Sequence, residues 1–440
     1  MSDAADQLPP GRLVLFDDPR STGLRPFTWV RTAGDLLLGM KTAEDRWRER
    51  AERDGVHFRR VTRGLLTSLA RDRSAWRAAS SADFGSDTQW VSDRLLPSVN
   101  AVAALAGMEV DSALLVAGQP IAFRGGPRSQ AACSHGLDPV TGQDEEPSAR
   151  ILAAVADSAA HRRELPAADD FVAGLSNLVR LQPIWLDLDL EDALAKRPAP
   201  SATGDGVSYR LDRIRIARSA KIDHGALLDA RDGAIVLDDG VEVGPHTWLK
   251  GPLYVGPGTR LLGGRLGGGS SFGPQCRLRG EVEATVALGY VNKAHDGFIG
   301  HSYLAEWVNL GALTTNSDLK NNYSNVSLQT PAGVIETGER KIGSFLGDHV
   351  KTRIGCLLDT GTIVGIGANL VGEPAMPSKW VPDFAWGTKG EDEYGLEKFL
   401  ATAEIVMSRR GVTLDDAARR ILRHSHAASR VHGRQEPSDA

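Results

Sequence analysis

The chain has 440 residues, 41% of them hydrophobic and 24% charged, with a formal net charge of −5 at pH 7. That length exceeds one ordinary core and predicts two or three domains. The mild acidity argues against a nucleic-acid binder, which usually carries a basic patch and a high pI. Three scattered cysteines (Cys133, Cys276, Cys356) exclude a disulfide framework, and no apolar run is long enough for a membrane helix.

The opening, MSDAADQLPPGR, is polar and lacks the apolar middle of a signal peptide, so a reducing cytoplasm is expected. Arg12 to Phe16 reads as a strand followed by the turn Asp17 to Arg20. Met40 to Arg53 reads as a charged surface helix. Ser112 to Val116, the turn Ala117 to Pro120 and Ile121 to Phe123 form a hairpin-like pattern. Pro127 to Ser148 is polar and poor in aliphatics, as in a loop or insertion. From Leu178 to Leu194 apolar and acidic residues alternate, until the Pro/Gly/Ser-rich stretch Arg197 to Gly206 ends all periodicity and marks a domain boundary. The region before it is expected to be α/β.

A six-residue register begins near Val207. Ile216 and Ile222 open adjacent units, and Val243 and Val255 share a phase. The register weakens between Gly263 and Val291, returns at Ile299, and breaks again over the polar stretch Asn316 to Glu339. An excursion there is a natural place for substrate contacts. Five units then run without a slip from Ile342 to Val371: IGSFLG, DHVKTR, IGCLLD, TGTIVG, IGANLV. A period of six fits neither an α-helix nor a half-buried strand, but it fits a hexapeptide-repeat parallel β-helix, a triangular prism of short strands. Ile342, Ile354 and Ile366 open alternate units, each followed by a glycine. The fifth place is apolar (Leu346, Leu358, Val364, Leu370) except at Thr352, and Cys356 is expected as a small core residue. Beyond the prism, Leu396, Phe399, Leu400, Ala403 and Met407 fall at helical spacing, and Thr413 to Asp416 starts a second helix. Both are expected to protect the last coil. The expected domains are 1–200, 207–372 and 373–440.

The densest polar cluster of the prism is Asn292 to Tyr303 (NKAHDGFIGHSY) with Trp307 to Ala312 (WVNLGA). His295 stands four residues before an aliphatic-Gly hexad, and Asn309-Leu-Gly-Ala312 begins fourteen residues after it. This spacing resembles the bifunctional family that is both UDP-N-acetylglucosamine pyrophosphorylase and glucosamine-1-phosphate N-acetyltransferase, over roughly Leu288 to Val371. Histidine suits the chemistry, because acyl transfer from a thioester needs an amine stripped of its proton near neutral pH. The resemblance implies His295 as base, Asn309 as a sugar contact, Lys293 or Lys320 as a phosphate contact, and Ala312 and Ala368 lining an acetyl-CoA groove. Asn322 and Tyr323 are further candidates for sugar contacts, although an asparagine run also suits turns. Phe298 departs from the family, which commonly has tyrosine there.

The N-terminal region resembles a variant sugar nucleotidyltransferase domain, through Leu13 to Asp18 and Leu24-Arg-Pro-Phe-Thr-Trp-Val-Arg31. Ordinary members present a Gly-rich loop and a lysine to the triphosphate. This chain has only Gly23 in that loop and Ala33 where the lysine is expected. The resemblance therefore implies phosphate contacts from Arg20, Arg25, Arg31 and Lys41, with Asp17 in the nucleotide site and Asp18 near Mg²⁺.

The expected function is nucleotidyl transfer to a sugar 1-phosphate coupled to acetyl-CoA-dependent N-acetylation of an amino-sugar 1-phosphate, in a cytoplasmic homotrimer without nucleic-acid or membrane partners. Three alternatives stand beside it. One is an acyltransferase with a degenerate first domain, and one a non-catalytic sugar-nucleotide sensor or scaffold. The third is a zinc trimer resembling γ-type carbonic anhydrases, using His295, His301 and His349; its histidine pair is five apart where this chain has six.

Overall fold

The computed structural model describes residues 7–66, 73–75, 81–136, 154–166, 170–201, 204–373, 376–390 and 392–431. The chain divides into two compact units. One comprises Met1–Leu24, Val30–Leu36 and Thr42–Gly174; the other comprises Arg25–Trp29, Leu37–Lys41 and Leu175–Ala440.

The first unit is built on a seven-stranded sheet. Its spatial order is Arg73–Ala75, His57–Thr62, Arg12–Phe16, Thr88–Ser92, Gln119–Arg124, Ser112–Val116 and His161–Leu165. Strand Arg12–Phe16 pairs in parallel with both of its neighbours, while Gln119–Arg124 runs antiparallel to both of its own. The Ser112–Arg124 hairpin expected from the sequence is therefore present. Val14, Phe16, Phe84, Trp90 and Phe123 fill one face, with Phe84 and Trp90 stacked at 4.5 Å. Helix Ala43–Asp54 starts where Thr42 and Asp45 satisfy each other's backbone N–H, and it ends at Gly55 with φ +70°. Its Trp47 is fully buried and donates to the Leu95 carbonyl at 2.7 Å.

Two expectations change in this part of the chain. Pro127–Gly136 is an α-helix rather than a loop, and residues 137–148 lie outside the described ones. Its sequence carries few aliphatics, but Asp111 caps it by accepting from the backbone N–H groups of Arg128 and Ser129. The segment with alternating acids belongs to a 22-residue helix, Leu175–Lys196. Leu178, Leu181 and Trp185 are buried at spacings of three and four, and Leu186 and Leu190 at four, which overrides the apparent alternation. Leu186, Leu190 and Ala193 pack with Ala234, Val236 and Tyr254. This helix groups with the solenoid, so the division falls ahead of the Arg197–Gly206 stretch.

The second unit is a parallel β-solenoid, consistent with the left-handed prism expected. One flat side is a nine-stranded sheet running from Ile214–Ile216 to Trp380–Val381, each strand one coil beyond the last. Ile235, Leu237, Leu253, Leu304, Leu346, Val364 and their neighbours form one continuous core. In the five clean hexads the fifth place points inward, as expected: Leu346, Leu358, Val364 and Leu370 are buried, and Thr352 joins them at 7% exposure. The third place is inward as well, in Ser344, Val350, Cys356, Thr362 and Ala368. Of the residues opening alternate hexads, Ile342 and Ile366 are buried, but Ile354 is 68% exposed.

Strand register explains where the hexads fade. Phe345 pairs with Ile363, eighteen positions on, or three hexads per coil. Ser271 pairs with Val286, only fifteen on, and Glu281 with Phe298, seventeen on. The solenoid therefore continues through Gly263 to Val291 with shortened coils. At Gly264 a Cβ would collide with the Gly280 carbonyl, which is why glycine stands there. Tyr303 pairs with Phe345, forty-two positions on, because the polar excursion lies between them. That excursion carries the antiparallel hairpin Ser327–Thr330 and Gly333–Glu336. Its neck is closed by the Ile342 N–H on the Asp318 carbonyl (3.0 Å) and by the Leu319–Lys341 bridge.

One corner of the prism places a left-handed residue in successive coils: Gln275, Tyr290, Trp307, His349 and Gly367 have φ between +54° and +69°. Tyr290 and Trp307 stack at 4.1 Å. Phe399, from helix Leu396–Ser408, meets His349 and Phe384 edge-on. The C-terminal helices thus pack against the last coils, as the sequence suggested.

Candidate functional site

In the first unit, three parallel strands deliver their carboxyl ends to one place, where open α/β sheets usually bind ligands. Asp17 and Asp18 follow Arg12–Phe16, Arg63 follows His57–Thr62, and Asp93 and Arg94 follow Thr88–Ser92. Asp17 Oδ2 accepts from Arg63 Nε at 2.7 Å, while its buried Oδ1 has no partner among the described residues. Asp93 accepts from the backbone N–H groups of Asp18 and Gly34. Burial, and then the negative charge of Asp17, raise its carboxyl to about 7. Arg94 reaches the Asp18 carboxylate at 3.7 Å.

The nucleotide-site residues named from the sequence fare unequally. Asp17 and Arg20 lie in this cluster, but Arg20 forks onto Asp18 (2.7 and 2.6 Å) and also donates to the Pro120 carbonyl. Arg31 belongs to the same unit, and its carbonyl accepts from Arg63 at 3.0 Å. Arg25 and Lys41 belong to the other unit; there the Arg25 guanidinium lies 3.7 Å from the Trp29 ring centre, and Lys41 faces Asp192 at 3.7 Å. Ala33 is buried. Asp18 does not suit Mg²⁺: it is fully buried, and Arg20 and Ser92 already occupy both of its oxygens. Among the described residues no group of three His, Cys, Asp or Glu side chains could hold a metal. Arg63, Asp93 and Arg94 escaped the sequence reading, because only the strand alignment brings them to Asp17.

On the solenoid, His295 is exposed in the turn between Asn292–Lys293 and Phe298–Gly300. Among the described residues its ring has no hydrogen-bond partner, but its carbonyl accepts from Lys293 Nζ at 2.7 Å. That ammonium is buried and also donates to the Arg279 carbonyl, and burial lowers its pKa to about 8. Lys293 therefore fastens the His295 turn; it does not present a charge to solvent. Lys320 likewise donates to the Asn325 carbonyl, and Asn322 accepts from the Ser324 N–H. Each of these bonds lies at the exposed surface of the excursion, where Tyr323 stands 68% exposed.

Asn309 is half-buried and accepts from Asn292 on the preceding coil at 2.8 Å. Ala312 is half-buried beside the excursion, with its carbonyl taking the Gly355 N–H. Ala368 is fully buried in the solenoid core, so its methyl cannot line a groove. The expectation fails because position 368 is the inward third place of its hexad. The three histidines of the zinc alternative do not converge either. His349 is buried between Trp307 and Phe399, and His301 is bonded to Asp318.

Comparison with known proteins bears on both units. Residues 13–162 match the sugar nucleotidyl transferase family. The resemblance seen in the sequence is thus supported for the first unit. A bifunctional sugar-1-phosphate nucleotidylyltransferase/acetyltransferase of Sulfurisphaera tokodaii is 32% identical over 90 residues, 20% of this chain and 22% of its own length. A bifunctional protein GlmU of Methylococcus capsulatus is 26% identical over 230 residues, 47% of this chain and 46% of its own. Its namesake in Methanocaldococcus jannaschii is 30% identical over 169 residues, 36% of this chain and 38% of its own. The chain therefore spans between about a fifth and a half of the length of these relatives. Among the described residues no helix is long and apolar enough to cross a membrane.

Proposed function

We propose that the chain is a bifunctional transferase that couples a nucleoside triphosphate to a sugar 1-phosphate and N-acetylates an amino-sugar 1-phosphate from acetyl-CoA, as in UDP-N-acetylglucosamine-type synthesis. The observation that carries this is one chain holding both a unit that matches sugar nucleotidyl transferases and a hexapeptide solenoid with an exposed imidazole. In this reading His295 accepts the proton of the attacking amine, Asn309 meets the sugar, and CoA lies between copies of a cytoplasmic trimer. Backbone N–H groups at the coil corners are suited to stabilise the tetrahedral oxyanion. In the first unit Arg63, held beside Asp17 at the strand ends and partly exposed, is the group that meets the nucleotide. A divalent cation would arrive with the triphosphate, since Mg²⁺ commonly binds through substrate phosphates. Its chemistry there is to neutralise phosphate charge.

The test is release of CoA and of pyrophosphate in the presence of acetyl-CoA, UTP or dTTP, and sugar or amino-sugar 1-phosphates. Loss of CoA release in His295→Ala, with ligand-induced thermal stabilisation intact, would assign the proton to His295. No CoA release by the parent with any amino-sugar phosphate overturns the acyl-transfer half. A second reading, acyl transfer alone, is favoured by the closed Asp18–Arg20 fork; CoA release without any pyrophosphate release would select it.

A further inference from the structure

The solenoid carries a second imidazole, and it is built differently from His295. His301 Nδ1 lies 2.7 Å from Asp318 Oδ2, with both side chains largely shielded, at 18% and 15% exposure. The two residues come from adjacent coils, Asp318 from the neck of the excursion. Neighbours fix the backbone beneath the ring on several sides. Asn316, a buried amide, bonds both the N–H and the carbonyl of Gly300. The His301 N–H donates to Glu283, and its carbonyl accepts from Gly343. His301 itself sits at φ +45°, a strained conformation for a non-glycine residue that the surrounding bonds hold in place.

The bond to Asp318 has a chemical consequence. A carboxylate on Nδ1 selects the tautomer with its proton there, leaving the Nε2 lone pair free to accept one. Asp318 is held below the ordinary carboxylate range despite the opposing effect of burial, chiefly by its hydrogen bond to His301 and by the charges of His301 and Lys341. It therefore stays ionised and steadies an imidazolium when one forms. Beside the pair lies an aromatic wall. A Cβ at Gly300 would run into Phe298 Cζ and lie 2.7 Å from Asp318 Oδ2, so ring tip and carboxylate meet over this glycine. A flat apolar ring next to an oriented base suits a sugar carrying an amine or hydroxyl.

We propose that His301, oriented by Asp318 as a positioning residue, takes the proton of a sugar acceptor lying against Phe298 in place of His295. The inference rests on the acyl-transfer reading above and differs from it only in which imidazole takes the proton. The acceptor nitrogen or oxygen bonds to the thioester carbonyl carbon, and its proton passes to His301 Nε2. The carbon–sulfur bond then breaks with its electron pair on sulfur, and the thiolate takes the proton back from the imidazolium.

The experiment compares the full-length parent with His301→Gln, Asp318→Asn, Asp318→Glu and His295→Gln, measuring kcat and KM for CoA release with amino-sugar 1-phosphates and acetyl-CoA. His301→Gln is expected to lower kcat at least about 100-fold with little change in KM for acetyl-CoA. Asp318→Asn is expected to lower kcat by about 10-fold or more, and Asp318→Glu to recover part of that loss. Thermal midpoints for every variant separate a folding defect from a chemical one, and a kcat loss that tracks the midpoint overturns the proposal. If His301→Gln keeps kcat within about threefold while His295→Gln removes it, the pair is a structural clasp; the inference falls and the acyl-transfer reading stands. If the parent releases no CoA, the acyl-transfer reading itself is overturned, and this inference with it.

Discussion

Replacing Lys293 by methionine tests directly how the His295 turn is held. The ammonium is buried, and burial brings its pKa from the usual 10.5 to about 8. Below pH 8 it is charged in both folded and unfolded chains, and the folded state bears the cost of desolvation. Between pH 8 and 10.5 the unfolded chain binds more protons than the folded one, so rising pH stabilises the fold. From pH 7 to 9.5 the linkage amounts to about 2 kcal/mol. Lys293→Met lacks this titration, and its two lost hydrogen bonds add a cost independent of pH. Lys351, also lowered to about 8 by burial, contributes to parent and variant alike and cancels. The expected result of urea unfolding, followed by tryptophan fluorescence, is that the parent gains about 2 kcal/mol on the variant between pH 7 and 9.5. Parallel stabilities across that range refute a buried, charged Lys293.

Three further substitutions probe other parts of the molecule. Ala368→Leu overfills the solenoid core and should cost about 1–3 kcal/mol of stability in chemical denaturation; a residue lining a cofactor groove would instead weaken acetyl-CoA binding at unchanged stability. Asp93→Asn removes a carboxyl whose folded pKa, about 7, lies above the usual 3.8. The parent's stability relative to this variant should fall as pH rises from 4 through 7, and a flat difference in thermal midpoints counts against the buried proton. Gly343→Ala places a methyl against the Gly300 carbonyl and the Asn316 amide. It should lower the thermal midpoint and disturb turnover together, because it displaces the His301 corner, and an unchanged midpoint refutes that crowding.

The repeat was legible because an inward side chain recurs at fixed intervals whenever a coil contains three equal sides. It became illegible where coils shorten to fifteen or seventeen residues, since the period changes while the inward rows, Leu266, Val282 and Ile299 among them, persist. Ile354 shows the converse: a residue in perfect phase that faces solvent. His295 and Asn309 could be picked out by spacing to a known pattern. The partnership of His301 with Asp318 could not, because those seventeen residues make neighbours only if the coil length is known in advance. Lys293 is a case of another kind. Composition announces a positive charge, but only coordinates reveal that this ammonium is buried against the Arg279 and His295 carbonyls. In the first unit the acidic turn after the first strand was visible, whereas Arg63, Asp93 and Arg94 join it through sheet alignment alone.

The closed neck of the excursion has a bearing on how such a chain diversifies. Because Ile342 and Lys341 are stapled back to Asp318 and Leu319, the two ends of the insertion meet almost where they depart. Closing a longer or shorter loop over the same gap changes the entropy only slowly with length. Preference for one acceptor over another can thus be exchanged as a cassette, leaving the scaffold that carries the coenzyme untouched.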